Sequence, residues 1–204
     1  MPRAIIEANW YDYPQYFDMT FRDETAMEVA FFDAAFSRYA QIPVRRVLEP
    51  GCGGGRLVVE MARREHDVVA FDLNEKSVRY VKQRLKRRGI DADVFVQDMT
   101  DFELAQPVDA AFCTMNTFRH LLTEDDSRRH LRSVAAAVKS GGLYILGLHI
   151  LPLDASEEST ERWTATHGRT RVTVTLRVLE TSRRDRIERL RSSLRIRSGD
   201  KDMR

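Results

Sequence analysis

Short apolar runs alternate with amphipathic segments along residues 44–150. The apolar runs have the length of strands that are buried on both faces, and the segments between them place apolar residues at helical spacing. Strands separated by helices of this length predict right-handed crossovers and therefore an α/β fold with a doubly wound, mostly parallel sheet. The predicted strands cover 44–49, 66–73, 92–98, 108–115 and 143–150, and the predicted helices cover 57–64, 75–88 and 124–139.

The first 43 residues are expected to form an N-terminal helical cap segment ahead of the core at 44–150. A helix is predicted over 24–40, where apolar residues recur at helical spacing, and the helix over 124–139 has an apolar face of its own. The residues of these two apolar faces are Met27, Ala30, Phe31, Ala34 and Ala35 in the first helix and Leu131, Val134 and Val138 in the second.

Beyond Pro152 the pattern changes to alternation of apolar and polar residues. Residues 171–181 and 186–197 place apolar side chains on one face and mostly arginines and threonines on the other, which predicts an antiparallel β-hairpin in the extension 151–204. This hairpin either closes the core sheet or is an insertion after the fifth strand, and its long arginine face favours the insertion. The fifth strand would then keep an exposed apolar edge, and we expect a second subunit, in a homodimer formed through the C-terminal region, to cover it.

Composition adds few constraints. The 204 residues are 43% hydrophobic and carry a net charge of +2, so the overall charge points to neither nucleic acid nor membrane, and no apolar run is long enough to cross a bilayer. Cys52 and Cys113 are too few for a disulfide framework or a metal cluster, which favours a reducing, cytoplasmic location and no metal. The N-terminus lacks the apolar region of a signal peptide, which agrees with that location.

The sequence VLEPGCGGGRL at 47–57 concentrates glycines directly after the first strand. A triphosphate-binding loop requires Gly-Lys followed by Ser or Thr, and a dinucleotide fingerprint requires a third glycine where Arg56 stands. The pattern is instead E-x-G-x-G-x-G, from Glu49 through Gly51 and Gly53 to Gly55. A carboxylate at the strand end repels a pyrophosphate but suits a cation, and S-adenosylmethionine carries an ammonium and a sulfonium. The turn therefore favours S-adenosylmethionine over a dinucleotide or a triphosphate.

Two further acids end the neighbouring strands. Asp72 closes the second strand, where its carboxylate can accept hydrogen bonds from both ribose hydroxyls, and Asp98 closes the third, near the adenine amino group. The carboxyl ends of parallel strands meet at the topological switch point, so Glu49, Asp72 and Asp98 are expected to line one crevice. Each of these acids, taken alone, is equally well explained as a helix cap.

These motifs resemble those of a known family. VLEPGCGGGRL, VVAFDLN, VFVQDM and the run DAAFCTMNTFRHL, followed by GGLYILGL, are similar to the successive motifs of class I S-adenosylmethionine-dependent methyltransferases over residues 44–150. The resemblance implies a Rossmann-like core that binds S-adenosylmethionine, transfers its methyl group directly to a small molecule and releases S-adenosylhomocysteine.

The resemblance also implies further contacts with the cofactor. Tyr11 and Tyr16 would close over the methyl donor, or alternatively serve as hydrophobic staples of the first helix. Met99 would flank the adenine, and Met115 and Asn116 would lie beside the methionine part, with a core role as the alternative for Met115. The predicted cofactor contacts are therefore Tyr16, Cys52, Leu73, Met99, Met115 and Asn116, in addition to the glycines and acids described above.

The methyl acceptor has no motif of its own. The segment after the fourth strand lacks the Pro-Pro sequence with which nucleic-acid and protein-amide methyltransferases hold an acceptor nitrogen, which argues against those substrates. Methyl transfer from a sulfonium needs a base only where the acceptor must lose a proton. His120, after the fourth strand, and His149, near the end of the fifth, are candidate bases, and each is also explained as a structural histidine. His149 is favoured because a polar group in an apolar strand end requires a reason.

Three other functions are compatible with parts of this pattern. One is a protein that binds S-adenosylmethionine without catalysis, and another is an RNA methyltransferase that uses the C-terminal arginine face. The third is an NAD(P)-dependent oxidoreductase, against which Arg56 in place of the third glycine argues.

Overall fold

The computed structural model describes residues 7–150, 159–199 and 201–203, which divide into two compact units. One unit is Asp23–His149, and the other combines Met1–Arg22 with Ile150–Arg204. Within the described residues, the helices are α1 (Pro14–Phe21), α2 (Thr25–Tyr39), α3 (Arg56–Arg63), α4 (Glu75–Arg88) and α5 (Glu124–Ala137). The strands are β1 (Arg46–Pro50), β2 (Asp67–Asp72), β3 (Asp93–Val96), β4 (Val108–Cys113), β5 (Val138–Leu146), β6 (Thr160–His167), β7 (Thr170–Ser182), β8 (Ile187–Ser198) and β9 (Lys201–Met203).

The unit of residues 23–149 is built on a parallel sheet with the strand order β3-β2-β1-β4-β5. The predicted doubly wound α/β fold is therefore confirmed. The chain moves outward from β1 through β2 to β3 and then returns to the other side of β1 with β4, so the topological switch point lies between the carboxyl ends of β1 and β4. Strands β1 and β4 are almost wholly buried, although each contains a charged residue, Glu49 and Asp109 respectively, among its buried positions.

The apolar faces predicted for two helices are wrong in part. Helix α2 buries Val29, Phe32 and Phe36, while Met27 and Phe31 are 74% and 60% exposed. Apolar residues occur on all sides of helix α2, so its periodicity alone could not identify the face that is buried. Packing against the sheet determines that face instead. In α5, Leu131 is 43% exposed, and the buried positions are His130, Val134 and Ala137.

Several predicted strand ends are also corrected. Strand β3 ends at Val96 and β4 at Cys113, so Asp98 and Met115 lie in the loops that follow. Strand β5 begins at Val138, inside the predicted helix, and ends at Leu146, so His149 lies beyond the strand. His149 is exposed, and the argument that a buried strand end requires a reason for this histidine is therefore wrong.

The other unit contains an antiparallel sheet with the order β6-β7-β8-β9. Strands β7 and β8 form the predicted hairpin, with Val172, Val174 and Ile196 buried on one face. Side chains of α1, of the preceding turn and of β6 and β8 pack against these three residues. They are Trp10, Tyr16, Met19, Trp163 and Leu194.

The hairpin does not close the parallel sheet. Among the described residues, β7 and β8 pair only with each other and with β6 and β9, and β5 stays at the edge of the parallel sheet. The interpretation of the hairpin as closing strands is therefore wrong, and the insertion after the fifth strand agrees with the topology. The expectation that a second subunit covers β5 stays a prediction.

Candidate active site

The glycine turn after β1 adopts a conformation that requires glycine. Gly51, Gly53 and Gly55 have φ angles of 68°, 51° and 66°, in the left-handed region that side chains with a Cβ rarely adopt. A Cβ at Gly55 would lie 2.6 Å from a methyl group of Val81, so this glycine permits α4 to pack against the turn. A Cβ at Gly53 would meet no atom within 4 Å, and Gly53 therefore borders open space.

Glu49 lies at the buried end of β1 and faces the start of α3. It is 8% exposed, and a backbone hydrogen bond from Val58, in the first turn of α3, reaches its carboxyl group. Its Oε2 atom is buried and finds no hydrogen-bond partner among the described residues. Burial raises the pKa of Glu49 to about 8, with Glu28 and Asp72 adding to the rise and Arg56 opposing it. A buried carboxyl oxygen without a partner can form a hydrogen bond with a group of a bound ligand.

Arg56, the residue that follows the glycines, is held by α2. Its guanidinium forms an ion pair with Glu28 and donates to Thr25 Oγ1 at 3.3 Å. The other oxygen of Glu28 accepts from Thr114 Oγ1, just past β4, at 2.5 Å. Arg56 is 7% exposed, so the pair is largely shielded from water. Glu28 thereby links α2, the glycine turn and the end of β4, the three segments around the switch point.

Asp72 braces the glycine turn from the end of β2. Its Oδ2 accepts the backbone N–H of Gly53 at 2.7 Å, and its Oδ1 accepts that of Asn74 at 2.8 Å. Burial raises the pKa of Asp72, and these backbone donors and His120 oppose the rise. Each oxygen keeps a second lone pair for a further donor. Leu73, directly after Asp72, is 70% exposed.

Asp98 and Met99 follow β3 but differ in their surroundings. Asp98 is exposed, and its Oδ1 accepts the backbone N–H of Thr100 at 2.8 Å. The sulfur of Met99 lies 3.9 Å from the Cβ position of Gly51, and its carbonyl oxygen lies 2.8 Å from His130 Nδ1. The structure therefore brings Met99 to the glycine turn, whereas Asp98 shares no contact with Glu49 or Asp72 among those described.

His130 holds Met99 through a buried chain of hydrogen bonds. Its Nε2 lies 2.8 Å from Tyr144 OH on β5, and Tyr144 OH in turn bonds the thiol of Cys113 on β4. Since Nδ1 must donate to the Met99 carbonyl, Nε2 accepts from Tyr144. Loss of hydration lowers the pKa of His130, which keeps the imidazole neutral in this arrangement.

The two candidate bases lie in different environments beyond β4. His120 ends a short 3-10 turn (Thr117–His120), and loss of hydration lowers its pKa while the nearby charge of Asp72 opposes this. His149 Nδ1 lies 3.2 Å from the side-chain nitrogen of Asn116, and its backbone N–H donates to Asn116 Oδ1 at 2.7 Å. Met115 and Asn116 have φ angles of 54° and 62°, and this left-handed loop turns Asn116 toward His149. His120 is thus associated with Asp72, and His149 with Asn116.

Tyr16 belongs to the other unit. It lies on α1 against the buried face of the antiparallel sheet, and its ring stacks on that of Tyr13 with a centroid distance of 6.3 Å. Its predicted contact with the cofactor stays a prediction.

The sequence interpretation missed Glu28, Thr114 and the His130–Tyr144 pair. Glu28 stands four residues before Phe32 and seven before Ala35, on the buried side of α2, but the periodicity of the sequence did not identify that side. A carboxylate there needs a buried cation, and Arg56 at the first position of α3 supplies one.

Within the described residues, the structure contains neither a candidate metal site nor a helix that could span a membrane. No group of three or more His, Cys, Asp or Glu side chains within the described parts of residues 7–150 and 159–199 has the geometry to hold a metal ion. None of the helices in the same residues is long and apolar enough to span a membrane. Cys52 and Cys113 are both buried free thiols.

Known proteins resemble this chain in sequence and in fold. Residues 47–142 match a family described as a methyltransferase domain. A ubiquinone biosynthesis O-methyltransferase of Xanthomonas euvesicatoria is 34% identical over 101 residues, which are 50% of this chain and 41% of that protein. The corresponding enzyme of Chromobacterium violaceum is 33% identical over 108 residues, which are 52% of this chain and 44% of that protein. The chain spans about half the length of the curated relatives it matches.

Solved structures share the fold over most of the chain. DesVI of Streptomyces venezuelae superposes with a TM-score of 0.72 at 18% identity, covering 95% of this chain and 85% of DesVI. An amino pentose methyltransferase of Micromonospora echinaspora superposes with a TM-score of 0.67 at 18% identity, covering 96% and 84% of the two chains. Residues 47–142, which contain the glycine turn at the switch point, thus match a methyltransferase-domain family, and the solved methyltransferase structures share the fold of the chain.

Proposed function

We propose that the protein binds S-adenosylmethionine at the glycine turn and transfers its methyl group to a small molecule. The observation that carries this proposal is the carboxyl oxygen of Glu49, which is buried without a partner beside the turn. The cofactor contains an ammonium and a sulfonium, and either cation suits such a carboxyl group better than a phosphate does. The open space at Gly53 and the free lone pairs of Asp72 fit the same ligand, because they offer close backbone approach and hydroxyl acceptors.

The residues of the turn would bind and orient the cofactor. Glu49 serves as counter-ion, Gly53 permits close approach, and Asp72 accepts from ribose hydroxyls, while Gly51 shapes the turn because a Cβ there would collide with the Thr117 side chain. Met99, Met115 and Asn116 complete the predicted contacts from the loops after β3 and β4. When bound, S-adenosylmethionine supplies an electrophilic methyl group on a good leaving group. An oriented acceptor attacks the methyl carbon in line and displaces the leaving group. Orientation and exclusion of water then account for most of the acceleration.

A small-molecule acceptor is supported by the names of the relatives. The Xanthomonas protein is a ubiquinone biosynthesis O-methyltransferase, and the Micromonospora protein is an amino pentose methyltransferase. Each name specifies an acceptor much smaller than a nucleic acid or a protein. Of the candidate bases, His120 is the better placed, since it interacts with Asp72 and its pKa is lowered, so the imidazole is neutral near pH 7. His149 is the second candidate.

Calorimetry of the full chain against S-adenosylmethionine, S-adenosylhomocysteine and NAD tests the cofactor. We expect binding of the first two and none of NAD. Asp72→Ala is expected to weaken binding of both adenosyl ligands by about 1.5–3 kcal/mol, the range for a hydrogen bond to a charged group. Asp72→Asn keeps one acceptor oxygen and serves as the matched control, with a smaller loss. Unchanged affinity in Asp72→Ala would remove Asp72 from the site, and tight NAD binding would contradict the proposal.

Turnover separates an enzyme from a protein that only binds the cofactor. A panel of phenols, amines and amino sugars is incubated with the protein and S-adenosylmethionine, and formation of S-adenosylhomocysteine is measured. Acceptor-dependent formation is expected, and His120→Ala is expected to lower it more for acceptors that must lose a proton. Binding without turnover across the panel would favour the non-catalytic alternative.

RNA methylation is a second candidate because of the surface of the β7–β8 hairpin. Cross-strand register places five arginines on the face opposite the buried one, where they form a cationic strip. These residues, here named the arginine face, are Arg171, Arg177, Arg191, Arg195 and Arg197. Contacts of such a strip with phosphates would make RNA affinity fall steeply with salt, with a log–log slope near −0.7 per phosphate for single strands. Absence of salt-dependent RNA binding would exclude this candidate.

A further inference from the structure

The glycine turn is surrounded by more carboxyl groups than cations. The charges of Glu28 on α2 and Asp72 at the end of β2 both act on Glu49 at the end of β1, and Arg56 is the guanidinium that opposes them. A second buried guanidinium, that of Arg84 on α4, donates to the Gly54 carbonyl of the turn at 2.7 Å. Arg56 already forms its ion pair with Glu28. The cluster therefore lacks a positive charge for Glu49.

The remaining groups that face Glu49 do not supply that charge. The thiols of Cys52 and Cys113 flank it from the turn and from β4, and burial raises both of their pKa values, that of Cys113 to about 12. Both thiols are therefore neutral near pH 7. The backbone N–H of Val58 is a donor without a formal charge, and it leaves Oε2 of Glu49 without a partner among the described residues.

Of the carboxyl groups in the cluster, Glu49 is the one placed to hold a proton. Asp72 accepts two backbone N–H groups at 2.7 and 2.8 Å, which oppose the rise that burial causes in its pKa, and Glu28 accepts hydrogen bonds from Arg56 and Thr114. Glu49 is more buried than Glu28 and keeps an unpartnered oxygen. Burial dominates its ionisation and raises its pKa to about 8.

We propose that Glu49 is protonated in the free protein at neutral pH and releases this proton to solvent when the cationic part of S-adenosylmethionine enters the turn. This inference rests on the proposed function. The proton balance is simple, since the carboxylic acid loses one proton to the buffer and the resulting carboxylate pairs with the incoming cation. Binding is thereby coupled to pH, and the buried acid discriminates between cationic and neutral occupants of the same space.

The sign of the coupling follows from the charge states. Below the pKa of about 8, binding must remove the proton, so apparent affinity rises with pH by up to about tenfold per unit. Above it, the carboxylate is already formed and this gain in affinity ends, while the amino group of the ligand, with a pKa of about 8, begins to lose its own charge. Removing the negative charge of Glu28 moves the midpoint of the affinity–pH curve to lower pH, because that charge contributes to the raised pKa of Glu49.

Calorimetry in several buffers measures the released proton directly. The full chain is titrated with S-adenosylmethionine near pH 6.5, in buffers of low and high ionisation enthalpy, and the slope of observed enthalpy against buffer enthalpy gives the proton number. Near pH 6.5 the amino group of the ligand is already protonated and adds little to the slope. We expect release of about one proton from the wild type and almost none from Glu49→Gln.

Two variants on α2 test the cluster. Glu28→Gln is expected to shift the midpoint of the affinity–pH curve to lower pH, because it removes a charge that raises the pKa of Glu49 and frees Arg56. Asp33→Asn is the matched control, since Asp33 lies on the same helix and pairs with Arg64 of the α3 C-cap without acting on Glu49. An unchanged midpoint in Glu28→Gln, or an equal shift in both variants, would overturn the assignment.

An infrared measurement on the free protein tests whether Glu49 is protonated, and the same measurement with S-adenosylmethionine separates the two proposals. Near pH 6.5 the free wild type is expected to show the infrared carbonyl stretch of a protonated carboxyl group, which Glu49→Gln lacks and which bound S-adenosylmethionine abolishes. If S-adenosylmethionine binds and the free protein lacks this band or no proton is released, the inference is wrong and the proposed function stands. If S-adenosylmethionine does not bind, both are wrong.

Discussion

Gly53 and Gly55 have similar backbone conformations but different neighbours. Both have positive φ angles, so an alanine at either position carries a left-handed cost of about 1–2 kcal/mol. Only a Cβ at Gly55 would collide with Val81, which adds about 1–3 kcal/mol of overpacking. We therefore expect Gly55→Ala to lower the free energy of unfolding more than Gly53→Ala in urea denaturation followed by far-UV ellipticity.

The same two variants separate stability from binding. Gly53→Ala is expected to stay folded and lose affinity for S-adenosylmethionine, because its new methyl group projects into the open space at the turn. In a Gly55→Ala background, Val81→Ala is expected to cost less than in the wild type, since it relieves the collision. Equal stability losses in the two single variants would contradict the role given to Val81.

Tyr144 links two strands to the Met99 loop through its hydroxyl group. Tyr144→Phe would leave His130 Nε2 and the Cys113 thiol without their partner, at a cost of about 1–3 kcal/mol in the free energy of unfolding. Tyr39→Phe is the control, since Tyr39 is 62% exposed and surface substitutions usually change stability by about 0.5 kcal/mol or less. Similar stabilities of the two variants in urea denaturation would show that the buried chain contributes nothing.

At the scale of elements, the strands of the core could be predicted from the sequence, whereas the buried faces of two helices and the ends of several strands could not. Strands such as β2, with the apolar run VVAF between its terminal aspartates, are buried on both faces, and only a sheet covered on both faces accommodates them. Strand β6 was missed because TERWTATH has few apolar residues and its Trp163 packs only once α1 and β7 are in place. Helix α5 gives way to β5 at Val138 without a linker, which helical periodicity could not show.

Part of the candidate site could also be predicted from the sequence, and part could not. Glu49 and Asp72 could be placed together because parallel strands present their carboxyl ends at one edge, and the structure relates both to the glycine turn. The ion pair between Glu28 and Arg56 joins residues 28 positions apart, and no local pattern encodes such a contact. Asp98 lies in the loop after a strand shorter than predicted, where its carboxylate caps its own turn.

The β7–β8 hairpin contains a pair of like charges whose removal should stabilise it. Arg177 stands directly opposite Arg191, whereas Arg189 stands opposite Glu180 and forms an ion pair with it at 3.5 Å. Like charges opposed across strands are destabilising by a few tenths to about 1 kcal/mol. We expect Arg177→Thr to raise the free energy of unfolding and Arg189→Thr to leave it equal or lower it, measured by thermal and urea denaturation at low salt.

Salt provides the check on this explanation. At high salt, the interaction between exposed charges is screened beyond a few ångströms. The difference in free energy of unfolding between the two hairpin variants is therefore expected to vanish near 1 M salt. A stabilising effect of Arg177→Thr that persists at high salt would point to the β-propensity of threonine instead of charge.

At the scale of the whole molecule, the two units offer separate spectroscopic signals. The chain has two tryptophans, Trp10 and Trp163, and both belong to the unit that holds the antiparallel sheet. Tryptophan fluorescence therefore reports that unit. Four of the five α-helices found in the described part of the chain lie in residues 23–149, so far-UV helix ellipticity reports chiefly the parallel-sheet unit.

These signals allow the burial of Glu49 to be tested through the stability of the molecule. Because folding raises the pKa of Glu49 from 4.5 to about 8, the unfolded chain gives up this proton first as pH rises, and the folded state is penalised increasingly between those values. We expect Glu49→Gln to exceed the wild type in free energy of unfolding by on the order of 2–5 kcal/mol near pH 8.5, and by little near pH 4.5, in urea denaturation followed by ellipticity. Asp33→Asn, the control, is expected to show no such pH-dependent gain. A Glu49→Gln variant less stable than the wild type at both pH values would mean that the carboxyl group stabilises the fold. The expected gain would instead mean that the free protein keeps an ionisable group at a cost in stability that a bound cation relieves.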